Sequence, residues 1–345
     1  MKVLKLGAYP PPHGGVQTNL VAIRRYLRDH GVHCDVINLT RFRGTAGDGV
    51  YYPRNAVQVL WLLAKLRCDV IHLHIGGAIT VRLLLLCLAC SVVPWASTVL
   101  TLHSGGYPSS PAGRNARPRS FRGFVFRRLD RVIAVNAEIA DLFRRFGLPE
   151  RRIRLIPPFG PVSVGPAATM PGTLRRFFDG HSPVLLTVGG LEPEYDIPIQ
   201  IHALGRIREQ FPEAGLAIFG SGSIEGEIRR SIAGTAYADH VHLGGDVPHD
   251  VTLRAMEACD ILLRTTLYDG DSIAVREALA LGTPVIASDN GMRPDGVDLV
   301  PPADLSALES AIRKNLASPC GGRRRALDIG DANLAAVLDL YKELL

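Results

Sequence analysis

The run from Leu262 to Ile286, LLRTTLYDGDSIAVREALALGTPVI, holds the residues best placed for chemistry. Asp269 lies in a loop ahead of a helix that starts near Ser272, and Glu277 lies on that helix, eight residues later. The first amides of a helix have no partner within it, and they sit at the positive end of its dipole. Those of Ser272, Ile273 and Ala274 can therefore meet phosphate oxygens. A loop carboxylate on one side and a helix carboxylate on the other can each accept a hydroxyl hydrogen bond. Together these groups suit a sugar diphosphate. The spacing alone also fits an Asp N-cap and a surface Glu. Asp269-Gly-Asp271 has the form of an acid pair for a divalent cation, but two acids are too few for a closed site and the helix dipole opposes a cation, so no metal is expected.

Three further segments place polar groups after an apolar run. In Pro10-Pro-Pro-His-Gly-Gly-Val-Gln17, Gly14 and Gly15 let backbone approach a ligand closely at a helix N-terminus. No GxGxxG follows the first strand and Asn38, not an acid, ends the second, which disfavours a nicotinamide-dependent dehydrogenase. In Thr101-Leu-His103-Ser-Gly-Gly106 an imidazole ends a buried strand, where it can hydrogen-bond a hydroxyl. In Phe219-Gly-Ser-Gly-Ser-Ile224, Gly220 and Gly222 form a loop that can offer amides to a phosphate or base.

The elements that carry these groups alternate. Short apolar runs such as Lys2–Leu6, Val70–His74, Val184–Val188 and Ile261–Leu263 are each followed by a helical pattern, which implies parallel sheets covered on both faces. Residues 157–183 are rich in Pro and Gly and read as a linker, after which the alternation restarts. The expectation is α/β: two tandem Rossmann-like, doubly wound domains facing a central cleft, residues 1–160 and 161–331. A C-terminal helix at about 332–345 is expected to pack back on the first domain.

Composition bounds the rest. The 345 residues are 47% hydrophobic and 21% charged, an ordinary globular mix that excludes wholesale disorder. Leu83 to Leu102 carries no charge over 20 residues, but Pro94 and Trp95 interrupt it; it reads as buried helix, turn and buried strand rather than a membrane span. Cys87 and Cys90 lie in that helix and read as core. The six scattered cysteines and the absence of a signal-peptide core point to a reducing, cytoplasmic setting. Residues 1–160 carry 23 Lys and Arg against 8 acids, a net of +15; residues 161–345 carry 16 against 25, a net of −9. Such asymmetry suits an anionic partner of the first half. Seven arginines (114, 117, 119, 122, 127, 128 and 131) lie between 114 and 131 with Phe121, Phe124 and Phe126 interleaved, as in a segment that docks on an anionic membrane. Arg114, Arg117, Arg119, Arg122, Phe124, Arg127 and Arg128 are the candidates. No nucleic-acid module accompanies them.

These motifs together resemble the family 4 retaining glycosyltransferases of GT-B fold (glycosyl transferases group 1). The likeness runs through Gly14-Gly15, His103, Val132-Ile-Ala-Val135, Ile156-Pro157, Gly220-x-Gly222 and, most specifically, the acid-x7-acid element ending Glu277-Ala-Leu-Ala-Leu-Gly-Thr-Pro-Val285. It implies that Asp269 contacts the donor sugar, Glu277 the ribose, and that His103 sits near the sugar. It also implies transfer of a hexose from a nucleotide-diphosphate sugar, without cofactor or metal, with the donor in the second domain. The basic segment adds a lipid-linked saccharide acceptor, as in surface polysaccharide (lipopolysaccharide) or glycolipid assembly, and a peripheral place on the inner face of the plasma membrane. A GT-B-fold sugar-nucleotide epimerase and a non-catalytic sugar-nucleotide-binding protein are the alternatives. Two departures stand out. Asp269 shortens the usual Glu. In Val188-Gly-Gly-Leu-Glu-Pro-Glu-Tyr-Asp-Ile197, Gly190 stands where the family has Arg, and neither Tyr195 nor Asp196 supplies its Lys. Arg264, with the helix end at Ser272–Ala274, is expected to neutralise the leaving diphosphate instead.

Overall fold

The computed structural model describes residues 1–41, 44, 47–160, 162, 164–165, 169–269, 271–318 and 330–345. Cys320 and Gly270, the residue between the two acids, lie outside them. The chain divides into two compact units, Met1–Gly160 with Gly330–Leu345, and Pro161–Ile329.

Unit 1 runs β1 (Lys2–Gly7), α1 (Gly15–Asp29), β2 (His33–Asn38), β3 (Val50–Tyr51), α2 (Ala56–Lys65), β4 (Val70–Ile75), α3 (Val81–Ser91), β5 (Ser97–Leu102), α4 (Pro111–Arg114), α5 (Phe121–Phe126), β6 (Arg131–Ala134), α6 (Ala137–Arg145) and β7 (Ile153–Leu155). All seven strands are parallel, in the order β3-β2-β1-β4-β5-β6-β7. Side chains alternate across a strand, so Leu4, Leu6, Ile71 and Leu73 meet α2, α3, α5 and α6 on one face. Val3, Val70, Val99 and Ile133 meet α1 on the other. Asn136 caps α6, its side chain accepting from the Ile139 amide at 2.9 Å. The uncharged stretch 83–102 is α3, a turn and β5; no helix among the described residues is long and apolar enough to cross a membrane. Cys87 and Cys90 are fully buried in the core, and burial pushes the Cys87 thiol up to about 12.

Unit 2 runs α7 (Gly172–Gly180), β8 (Val184–Val188), α8 (Ile197–Ile207), β9 (Gly215–Phe219), α9 (Glu225–Ala233), β10 (Val241–Gly245), α10 (His249–Ala258), β11 (Ile261–Arg264), α11 (Ile273–Ala280), β12 (Val285–Ser288), β13 (Asp298–Val300) and α12 (Leu305–Leu316). Its six strands are parallel, in the order β10-β9-β8-β11-β12-β13. Helix α7 corrects the linker expected over 157–183. Its flanking Pro171 and its terminal Gly180 carry the composition of a turn, but Leu174 and Phe177, three residues apart, bury one side of a helix. The last helix, α13 (Ala332–Lys342), belongs to unit 1 and packs beside α1, with Leu334, Val337 and Tyr341 in that core.

In each sheet the strand order reverses once: between β1 and β4 in unit 1, and between β8 and β11 in unit 2. Connections leave such a point in opposite directions and open a crevice at the strand ends. Both sets of polar groups described next lie there.

Candidate active site

In unit 2 the crevice is lined by the ends of β8 and β11. Arg264 ends β11, and its guanidinium reaches back across the end of β8. Its Nη1 donates to the Val188 carbonyl at 2.8 Å, and its carbon lies 4.7 Å from the centre of the Tyr195 ring. A Cβ at Gly189 would stand 2.4 Å from that ring and 2.7 Å from Arg264 Nη1. The glycine pair after β8 thus makes room for Tyr195 and Arg264. The Arg264 guanidinium, from the neighbouring strand, thus stands at the end of β8 beside the glycine pair.

Asp269 is shared by two arginines. Arg264 donates to Oδ2 through Nε and Nη2, both at 2.8 Å. Arg293 donates to the same oxygen at 3.0 Å, and Thr266 at 3.3 Å. Asp269 Oδ1 takes part in none of these. Arg293 also donates to Thr266 Oγ1 at 2.6 Å and to the Ser288 carbonyl at 3.1 Å. All three charged side chains are nearly inaccessible to solvent. Burial alone would push the Asp269 carboxyl up; Arg264, then Arg293, outweigh it and hold it below the usual carboxylate range. Two guanidiniums on one carboxylate leave the cluster with an excess positive charge. Asp271, which also acts on Arg293, is itself paired with Arg276, so the excess stands, and uncompensated buried charge is costly.

Helix α11 adds further donors. Ser272 is its N-cap, accepting from Val275 N, and the helix begins at Ile273, one residue later than the sequence suggests. Asp271 accepts from Arg276 Nε at 2.5 Å. Glu277 is buried and accepts from His249 Nε2, at the start of α10, at 2.6 Å. Burial disfavours the charged imidazole of His249, but the hydrogen bond and charge of Glu277, with Asp250, raise its pKa overall. Gly220 and Gly222 are explained by close packing. A Cβ at Gly220 would lie 1.8 Å from the Gly189 carbonyl, and one at Gly222 2.2 Å from that of Leu191. The Gly220 amide donates to Gly245 O, and the Ser223 amide to Glu192.

In unit 1, Gly14 is the extended N-cap of α1, which starts at Gly15. His103 follows β5, its amide donating to the Ile75 carbonyl at 2.8 Å. It ends a buried chain across three strands: Lys5 Nζ lies 2.9 Å from His74 Nε2, and His74 Nδ1 lies 3.2 Å from His103 Nε2. Burial, then Lys5, pushes His103 down to about 3, so it is neutral near pH 7. Beside it His72 bonds Thr101 Oγ1 at 2.7 Å and the Tyr341 hydroxyl. Sequence reasoning missed Lys5, His74, His249 and Arg293. Only Lys5 left a signal, a charge inside the run Val3-Leu-Lys-Leu6.

The basic segment is not uniform. Arg114, Arg117, Arg119 and Arg128 are exposed, and Arg128 lies 5.0 Å over the exposed Phe124 ring. Arg122 and Arg127 are half-buried. Arg127 donates to the Pro118 and Phe146 carbonyls and so ties α5 to the end of α6. Arg127 is thus already engaged in holding the fold.

Two family models match: Glycosyltransferase Family 4 over residues 13–159 and Glycosyl transferases group 1 over 175–326. The chain belongs to the family 4 glycosyltransferases. Among relatives of the chain, glycogen synthase of Mycobacterium tuberculosis is 27% identical over 253 residues, covering 68% of this chain and 57% of that protein. The GDP-mannose-dependent alpha-(1-6)-phosphatidylinositol monomannoside mannosyltransferase of Mycolicibacterium smegmatis is 27% identical over 181 residues, covering 49% and 46%. The chain thus spans about half the length of these curated relatives. Among solved structures, Anabaena HepE in complex with UDP-glucose superposes with a TM-score of 0.71 at 18% identity, covering 100% of this chain and 98% of that one. Structural neighbours of this kind place the fold as GT-B.

Proposed function

We propose that this glycosyltransferase moves a hexose, with retention of anomeric configuration, from a nucleotide-diphosphate sugar held by unit 2 to a lipid-linked saccharide held by unit 1. The observation that carries this reading is the buried Arg264–Asp269–Arg293 cluster, with its excess positive charge beside the α11 N-terminus. As the donor bond breaks, negative charge grows on the leaving diphosphate, and fixed cations and amides at that point lower the barrier. Arg264 and Arg293 take the place of the family's usual Arg and Lys. Asp269 fixes both guanidiniums and keeps Oδ1 for a sugar hydroxyl. Glu277, held by His249, accepts the ribose hydroxyls. In unit 1, His103, a neutral imidazole, offers a hydrogen bond to a sugar hydroxyl.

The lipid-linked acceptor, the setting in surface polysaccharide or glycolipid assembly, and a peripheral position at the cytoplasmic membrane face rest on the basic first half. They also rest on the relative whose name specifies a phosphatidylinositol mannoside. The test is transfer of labelled sugar from nucleotide donors to lipid-linked acceptors, with the anomeric configuration of the product read by NMR. An α-linked product from an α-donor is expected. Inversion refutes the retaining assignment, and donor consumed without any transferred sugar refutes the transferase reading.

A further inference from the structure

Helix α2 is apolar on both sides. Leu62 and Leu63 face the core, while Val57, Leu60 and Trp61, spaced as one helical face, point outward. Helix α3 repeats the pattern, with Leu84, Cys87 and Cys90 inward and Leu85 outward. In α5, Val125 and Phe126 are buried and Phe124 is not. The inner sides of all three helices join one core on the same face of the sheet. They connect β3 to β4, β4 to β5 and β5 to β6, so their outer sides are all turned away from that one face of the sheet, and α3 packs beside α5. The five outward residues are between 42% and 73% exposed. A helix apolar all round is normally covered on both sides, and large apolar side chains exposed together on one face mark an interaction surface.

Charge identifies the partner. Helices α2 to α5 contain no acidic residue. Arg54, Lys65, Arg67 and Arg82 stand in or beside α2 and α3, and the exposed arginines at 114, 117 and 119 lie in and after α4. Lys65 Nζ lies 4.4 Å over the Trp61 ring. The acids nearest in sequence, Asp69 and Asp130, accept from the backbone amides of Lys2 and Thr98 and so are engaged within the fold. A second copy of this chain would set one ring of cations against another. An anionic bilayer satisfies both features, with apolar side chains at the acyl boundary and cations among the headgroups. We propose that the outer faces of α2, α3 and α5 dock unit 1 in the plane of an anionic membrane, with Trp61 at the interface. This surface extends well beyond the 114–131 segment.

The proposal rests on the reading above for its purpose, a lipid-linked acceptor, but its test needs neither donor nor acceptor. The full chain is mixed with vesicles of phosphatidylglycerol and phosphatidylcholine, or of phosphatidylcholine alone, and bound protein is measured by flotation. Binding to the anionic vesicles is expected, weakening with salt, together with a blue shift of tryptophan emission. The two tryptophans are Trp61 and Trp95, and Trp95 lies under the Arg67 guanidinium; a Trp95→Phe variant leaves Trp61 as the single reporter. Leu60→Glu with Trp61→Glu is expected to lower vesicle affinity about tenfold or more, with thermal stability and nucleotide binding unchanged. Indifference of the wild type to anionic vesicles, or equal binding by the double variant, overturns the proposal. So does a dimer in sedimentation velocity that the same variant dissolves, because the occupant is then a second copy. Vesicle binding without sugar transfer counts against the proposed function alone.

Discussion

Lys5→Met is expected to make the protein more stable near neutral pH. Lys5 is completely buried in β1, and its hydrogen-bond partner is an imidazole, not a carboxylate. Burial pushes its pKa from 10.5 down to about 7, against a small opposing effect of Cys34. The unfolded chain therefore holds a proton between pH 7 and 10.5 that the folded chain releases, and stability rises with pH across that window. Below about pH 7 the whole penalty applies; a drop of this size amounts to about 5 kcal/mol. At pH 7 about 4 kcal/mol remains, and by pH 8.5 about 3. Methionine removes the penalty but forfeits the bond to His74 and leaves its Nε2 unpaired, a loss of about 2 kcal/mol. The variant is then about 2 kcal/mol more stable at pH 7, with the advantage shrinking by more than half toward pH 8.5. Urea unfolding of both proteins from pH 6.5 to 8.5 reads this difference, and effects of the histidines on stability largely cancel in it. A difference that does not change with pH, or a variant less stable throughout, would mean that Lys5 carries no such burial penalty.

Arg293→Met should leave unit 2 folded, because Arg264 still neutralises Asp269, yet lower affinity for a nucleoside diphosphate about tenfold or more; calorimetry beside a thermal melt separates the two effects. Glu277→Gln should drop the pKa of His249 below its ordinary value, since burial then acts with less opposition, which an NMR titration of its ring protons reads. The wild-type pair contributes stability below pH 6.5 that fades as pH rises through the raised pKa of His249, and the variant should lack that increment. Gly222→Ala places a methyl 2.2 Å from the Leu191 carbonyl and should cost about 3 kcal/mol, visible as a lowered melting temperature.

The alternation of strand and helix was legible because buried parallel strands are short apolar runs, and the acid-x7-acid element because its spacing is tied to one loop and one helix start. Helix α7 was hidden by the Pro and Gly at its ends, and β3 by having only two residues. Arg293 joins Asp269 across 24 residues of chain, and a single arginine at that distance carries no period or motif. Sequence did raise Arg264 as the substitute cation. It could not show that Asp269 binds two cations through one oxygen, since that geometry arises only where the ends of β8, β11 and β12 converge. Gly220 and Gly222 read as a phosphate loop because close backbone approach demands glycine, and the approach of Gly189 and Leu191 to them makes the same demand. The outward side of α2 was missed because an apolar helix reads as core from sequence alone.

Whether the Arg264–Asp269–Arg293 cluster holds a nucleoside diphosphate is read by calorimetric titration of the full chain with UDP, GDP, ADP and dTDP without added metal, repeated on Arg293→Met. One nucleotide series is expected to bind to the wild type, and the substitution to weaken it. Folded protein that binds none of the four, or binds one equally well without Arg293, would contradict the assignment of the Arg264–Asp269–Arg293 cluster to the donor diphosphate.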